Sequence, residues 1–163
     1  MGAKPMGTAD SDLSIRPLDT ADTSMAARAL SAWMTNAFSG SLPQAVVDAF
    51  TVERSERRLS APALTLAAWQ ESTLVGLGQA DGNEISMLYV SPDCRGTGVG
   101  EKLFASLLDA IGKAGYSQAE LVVLVANEGA RRFYERQGGR ILKDDNVHMA
   151  GYDLPHKRYV FPL

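Results

Sequence analysis

Thiols and imidazoles are scarce in this chain: one cysteine, Cys94, and two histidines, His148 and His156, among 163 residues. One cysteine cannot close an internal disulfide, so the fold must rest on burial, and the composition suits a reducing cytoplasm. The two histidines are too few and too scattered to build a metal site, and none is expected. No apolar run approaches the roughly 18 residues that a membrane-spanning helix requires. An excess of one charge is also missing: 16 Lys and Arg against 19 Asp and Glu leave a formal charge of -3. That balance supplies no general attraction to nucleic acid or to an anionic membrane. The first residues, 1–12, lack the basic start and apolar stretch of a signal peptide and read as a small, polar, flexible extension. Internal repeats and low-complexity segments are absent as well.

What is present is an ordinary globular composition, 45% hydrophobic and 21% charged, over a length suited to one domain spanning 13–163. Residues 14–18 predict a short edge strand, because Pro17 cannot donate to a ladder. From Thr20, the apolar positions Met25, Ala29, Trp33 and Met34 fall near helical spacing, and Gly40 stops the run. A second helix is expected after Pro43, carrying Val46, Val47 and Phe50 and ending in the charged stretch 53–58. Strands are predicted over 64–69, 74–80 and 84–90, with the tight-turn signature Asp81-Gly82-Asn83 before the last. An amphipathic helix follows, with Leu103, Phe104, Leu107, Leu108 and Ile111 on its apolar face. The uninterrupted run Leu121-Val122-Val123-Leu124-Val125 predicts a strand covered on both faces. A helix over 128–137 and strands over 140–143 and 157–162 complete a mixed α/β or α+β sheet.

The turn Arg95-Gly96-Thr97-Gly98-Val99-Gly100 lies between a strand and a helix. Its glycines let backbone N–H groups approach a ligand, and the orphan amides of a helix start favour an anion. Arg95 adds a positive charge, while Glu101 opposes it. The nucleotide P-loop pattern fails because Glu101 and Lys102-Leu103 stand where Gly-Lys-Ser/Thr is required, and the dinucleotide pattern fails at Glu101 too. Taken alone, the turn reads equally as an anion site or a tight corner.

A second cluster, Asn127 to Gly138, fits N-x-x-A-x-x-F-Y-E-x-x-G, and Arg95 to Gly100 fits R-x-x-G-x-G. With both motifs in their strand and helix contexts, the sequence resembles the GNAT superfamily of N-acetyltransferases. The resemblance implies a single-domain GNAT-like fold: a mixed sheet of about six to seven strands, helices on both faces, and a splay between the fourth and fifth strands. It implies acetyl-CoA as co-substrate, no metal, and an amine of a small molecule or peptide as acceptor. A homodimer through edge strands is common in such proteins. In the implied site, backbone groups of Leu88, Tyr89 and Val90 bond the pantetheine arm like an added strand. Amides from Arg95 through Gly96, Thr97, Gly98, Val99 and Gly100 to Glu101 hold the pyrophosphate. Asn127 bonds the pantetheine, and Tyr134 stands near the thioester sulfur. Gly139 departs from the family pattern, which often has an apolar residue there.

The chemistry asks for further groups. An alkyl amine of pKa ~10.4 is only about 0.1% neutral near pH ~7.4, a cost of roughly 4 kcal/mol, so a base or a water path to one is expected. Glu84 is the candidate, and strand alternation predicts it on one face with Ser86, Leu88 and Val90; a solvated residue beside the turn is the competing reading. Tyr134 is the candidate acid for the departing thiolate, and a backbone N–H near Val90 would meet the developing oxyanion. Arg95 could lower the Cys94 thiol pKa, although a bystander thiol is the simpler reading. Arg131, Arg132 and Arg136 are candidates for the 3′-phosphate of CoA, and Asp144 and Asp145 for attracting a cationic amine. Transfer of a longer acyl group, or a CoA-binding regulatory module without turnover, are the alternatives.

Overall fold

The structure is a computed structural model and describes residues 12–163, so the extension expected over 1–12 lies, apart from Asp12, outside the described residues. The elements are β1 (Leu13–Pro17), α1 (Thr23–Phe38), α2 (Gln44–Val47), α3 (Val52–Leu59), β2 (Leu64–Gln70), β3 (Thr73–Asp81), β4 (Glu84–Val90), α4 (Val99–Lys113), β5 (Gln118–Leu124), α5 (Glu128–Arg136), β6 (Arg140–Met149) and β7 (Tyr152–Pro162). They build one seven-stranded sheet in the order β1-β2-β3-β4-β5-β7-β6. Every neighbouring pair is antiparallel except β4 and β5, which run parallel.

Alternation in the strands feeds two cores. Leu66, Ala68, Val75, Ile85, Leu121, Tyr159 and Phe161 pack on one face against Leu103, Phe104, Leu107 and Ile111 of α4. Ala67, Trp69, Leu77 and Met87 pack on the other face against Ala26, Ala27, Leu30 and Trp33 of α1. A third cluster joins Phe38, Val46, Val47 and Phe50 to Leu154 of β7. Removing these apolar surfaces from water supplies the main drive for closing the layers.

Several expectations change in detail. The buried stripe of α1 is Ala26, Ala27, Leu30 and Trp33 rather than the row through Met25 and Ala29, which is only partly buried. The helix expected after Pro43 is two helices, because Thr51 starts a new one: its hydroxyl accepts from the Arg54 N–H at 3.2 Å. The last two strands are far longer than predicted and form a hairpin through Ala150 and Gly151, whose φ values of 51° and 85° suit a two-residue type I′ turn. Residues 144–149 carry little apolar alternation because β6 is a solvated edge strand.

The strand β5 is not covered on both faces. Ala119, Leu121 and Val123 are buried, while Val122 is 38% exposed. Its other face, Glu120, Val122 and Leu124, is only partly covered, Leu124 by the third cluster, and its edge toward β4 borders a gap between strands.

Candidate active site

That gap begins where β4 meets β5. The two strands share one register pair, Glu84 with Glu120. Asn83 braces it: its carbonyl accepts from the Glu120 N–H at 2.9 Å, and its side-chain amide donates to the Gln118 carbonyl at 3.2 Å. Beyond this point β4 stays bonded to β3 and β5 to β7, and the sheet splays. Strand geometry sends alternate backbone groups to either edge, so part of those on Leu88, Tyr89 and Val90 face the gap with no strand to bond.

A cleft of about 880 Å³ fills the opening. Leu88, Tyr89 and Val90 line one side, and Ala126 and Asn127 the other. Arg95, Gly96, Gly98, Gly100 and Glu101 border it at the start of α4, with Phe133, Tyr134 and Arg136 from α5. Ala37, Ser39 and Ser41 reach it from the end of α1. Ten of the sequence-predicted residues thus converge: Leu88, Tyr89, Val90, Arg95, Gly96, Gly98, Gly100, Glu101, Asn127 and Tyr134. Thr97, Val99 and Glu84 do not border the cleft. The exposed Thr97 hydroxyl donates to the Cys94 carbonyl, and Val99 is buried in the α4 core. Ser39 and Ser41 carry no motif that sequence reasoning could have found; Phe133 stood inside the recognised motif without an assigned role.

Gly98 is the N-cap of α4 at φ 92°, a left-handed conformation that disfavours any side chain, and no side chain caps this helix start. The first intrahelical bond runs from the Lys102 N–H to the Gly98 carbonyl, leaving the amides of Val99, Gly100 and Glu101 as orphan donors. Together with Arg95 they present donors and positive charge of the kind that can hold an anion at a helix start. The opposing charge of Glu101 is drawn aside, because its carboxylate accepts from Gln137 at 3.3 Å. Of the three arginines weighed for phosphate, only Arg136 lines the cleft. Arg131 donates to the Val125 carbonyl at 3.1 Å, and Arg132 pairs with Glu128 at 3.6 Å.

Asn127 caps α5, its side-chain oxygen accepting from the Ala130 N–H at 3.2 Å. The cap commits the oxygen and leaves the amide N–H groups to the cleft. Tyr134 is buried, 6% exposed, in a ring cluster with Phe104, Phe133 and Phe161. Burial raises its phenol well above the ordinary value, and Tyr89 adds to the rise. Tyr134 lines the cleft, and its hydroxyl, a protonated donor, has no hydrogen-bond partner among the described residues. Burial likewise raises Tyr89, opposed by Arg58. The Cys94 thiol is pushed up by burial and by Asp93, the reverse of the lowering expected from Arg95. It therefore stays a protonated thiol, without the thiolate that nucleophilic chemistry needs.

Gly139 has a packing reason. A Cβ there would stand 2.7 Å from Phe161 Cζ, so the Phe161 ring occupies the space that a side chain at 139 would fill.

The face of Glu84 differs from simple alternation. Ile85 packs in the α4 core, whereas Met87, two residues on, packs under α1, and a register shift opposite Gln79 and Ala80 accommodates the change. Glu84 therefore shares the α1 face with Met87 and Tyr89, not the face of Leu88 and Val90. On that face its carboxylate accepts from Arg158 at 2.9 Å.

Residues 34–154 match the family described as Acetyltransferase (GNAT) domain. No curated protein sequence matches the chain. Among solved structures, the chain is similar to a GCN5-related N-acetyltransferase from Rhodopseudomonas palustris, at 24% identity and a TM-score of 0.81, covering 92% of this chain and 95% of that one. It is also similar to yncA from Salmonella typhimurium, solved with its cofactor acetyl-CoA, at 16% identity and a TM-score of 0.68, covering 93% and 94%. The paia N-acetyltransferase of Thermoplasma acidophilum, solved with coenzyme A, gives 19% identity and a TM-score of 0.70, covering 89% and 97%.

Proposed function

The chain belongs to the GNAT acetyltransferase family, and we propose that it moves an acetyl group from acetyl-CoA to a primary amine of a small molecule or peptide, by direct attack in a ternary complex. The observation that carries this reading is the splay itself: a single β4–β5 register pair, then an open β4 edge leading to an uncapped helix start. A long, hydrogen-bonding, anionic molecule fits such a cleft, and a side chain at position 98 would have to adopt the left-handed backbone that glycine tolerates.

Acetyl-CoA supplies the activated thioester. Leu88, Tyr89 and Val90 would bond the pantetheine arm through their free edge, with Asn127 on the opposite wall. The amides after Gly98, with Arg95 and Arg136, would take the phosphates. Tyr134 would donate its proton to the departing sulfur, since burial keeps the phenol protonated across physiological pH. Glu84 would receive the amine proton. Five residues of strand at ~3.3 Å each put it about 16 Å along the backbone from Tyr89, so it would act through water.

Glu84 lying outside the cleft lining favours one alternative, a CoA-binding regulatory module without turnover. Isothermal titration with CoA, followed by thiol release from acetyl-CoA across amines, amino acids, peptides and polyamines, separates the two. Binding with release marks the enzyme, binding without release across the panel the module, and absence of binding heat sinks both.

A further inference from the structure

A second charged group stands at the root of the splay, outside the cleft. Arg158 of β7 reaches across β5: its Nη1 donates to Glu84 Oε1 at 2.9 Å and to Glu120 Oε1 at 3.0 Å, and its Nη2 to Glu84 Oε2 at 3.5 Å. The register explains the meeting. Glu84 and Glu120 are direct partners on β4 and β5, and Arg158 pairs with Val122 one step up the same face of β5. Directly opposed carboxylates repel, so one guanidinium serves two acids.

We propose that Arg158 is a positioning residue for this reaction: it fixes the Glu84 carboxylate on the α1 face at the root of the splay, aimed to receive a proton. The proposal rests on reading Glu84 as the base. Ion pairs this hydrated contribute little to stability: the side chains of Arg158, Glu84 and Glu120 are 26%, 36% and 22% exposed. Their place, by contrast, is specific. The triad sits on the face shared with Met87 and Tyr89, and Tyr89 lines the cleft. An aimed carboxylate at the root of that face is one end of a water path, and without its cation it would turn away from Glu120 into solvent. The guanidinium is in turn held charged by Glu84, its strongest partner.

Charged groups approach from several elements. Arg158 comes from β7, Glu120 from β5, and Asp81, the register partner of Glu84, from β3. Lys143 of β6 is the register partner of Arg158 and pairs with Asp145. Arg28 is the one charged residue of α1, which packs over this face beside α3 with its Glu53, Arg54, Glu56, Arg57 and Arg58, and α4 brings Glu101, Lys102, Asp109 and Lys113 to the opposite face.

Opposite-signed substitutions test the proposal. The titration of Glu84 is followed by δ-carbon NMR in labelled protein, its resonance assigned by loss in Glu84→Gln. Arg158→Met should move the Glu84 midpoint up by about one pH unit, the low end for an adjacent opposite charge given the exposure. Glu120→Gln should move it down, and Arg158→Lys should leave it nearly in place. A purely structural role would not produce shifts of opposite sign. A midpoint unmoved in both Arg158→Met and Glu120→Gln overturns the role of Arg158 alone. The acidic limb of thiol release from acetyl-CoA, measured over the amine panel, should follow the same shifts and vanish in Glu84→Gln. An unaltered limb in Glu84→Gln, or no release with any amine, refutes the reading of Glu84 and the positioning role with it, whatever the NMR gives.

Discussion

Replacing Gly139 by alanine should destabilise the protein, although the position needs no unusual φ. The new Cβ would stand 2.7 and 2.8 Å from Phe161 Cζ and Cε1 and 3.0 Å from the Tyr134 carbonyl oxygen. Carbon atoms pack comfortably at about 3.5–4.0 Å, so the ring would have to withdraw by nearly the width of a bond. It has nowhere to go: Phe161 is 3% exposed, and its ring lies 5.0 Å from that of Phe104. Overpacking of this kind costs about 1–3 kcal/mol, offset by roughly 0.4–1 kcal/mol from stiffening the unfolded chain. The net loss, near 1–2 kcal/mol, corresponds to a fall in Tm of roughly 2–8 °C for a chain this size. Thermal unfolding followed by circular dichroism measures it. A cycle with Phe161→Leu identifies the cause: with a smaller side chain at 161 the alanine should cost at least about 1 kcal/mol less. An unchanged Tm in Gly139→Ala, or additivity within about 0.5 kcal/mol, would refute the explanation that Phe161 fills the place of a side chain at 139.

Tyr134→Phe should lower kcat by about 100-fold, the low end for a lost general acid, with the KM for acetyl-CoA nearly unchanged; an unaltered kcat removes the acid role. Asn127→Ala should cost about 1 kcal/mol of stability through the lost α5 cap and weaken CoA binding in the same calorimetric titration. Retention of both quantities would contradict the double role. Tyr159 is fully buried and donates to Glu135 at 2.8 Å; burial first, then that carboxylate, pushes its phenol up to about 12. A raised folded value means that the native state holds the proton more tightly, so its stabilisation is complete below about pH 10, the unfolded value, and is lost as pH rises toward about 12. Denaturant titrations over that window should show stability falling in the wild type and falling less in Tyr159→Phe; parallel curves would refute the linkage.

Much of the architecture was legible because its signals are local. Turn chemistry at Asp81-Gly82-Asn83, the apolar stripe of α4 and the glycine stop of α5 each act within a few residues. The β6–β7 hairpin was largely missed because most of the edge strand β6 is exposed and only Val147 and Met149 pack against the third cluster, too little alternation to mark a strand. Its partner β7 was shortened to the part that packs under α4, which left out Leu154, buried in the third cluster. Many residues that line the cleft were legible through two motifs, whereas Ser39 and Ser41 reach it only because α1 ends there.

The sequence by itself determined where the chain makes a left-handed, uncapped helix start at Gly98, where a side-chain oxygen caps α5 at Asn127, and which residues favour strand or helix. These follow from backbone sterics and nearest-neighbour hydrogen bonding. Only the tertiary structure decided which faces those residues present to one another. It limited β4 and β5 to a single register pair, changed the face of Glu84 across the irregularity in β4, and brought Arg158 to it from 74 residues away. It also set Phe161 against Gly139. Register shifts and long-range pairs are settled by the packing of whole layers, a balance of burial and repulsion that no local stretch of sequence contains.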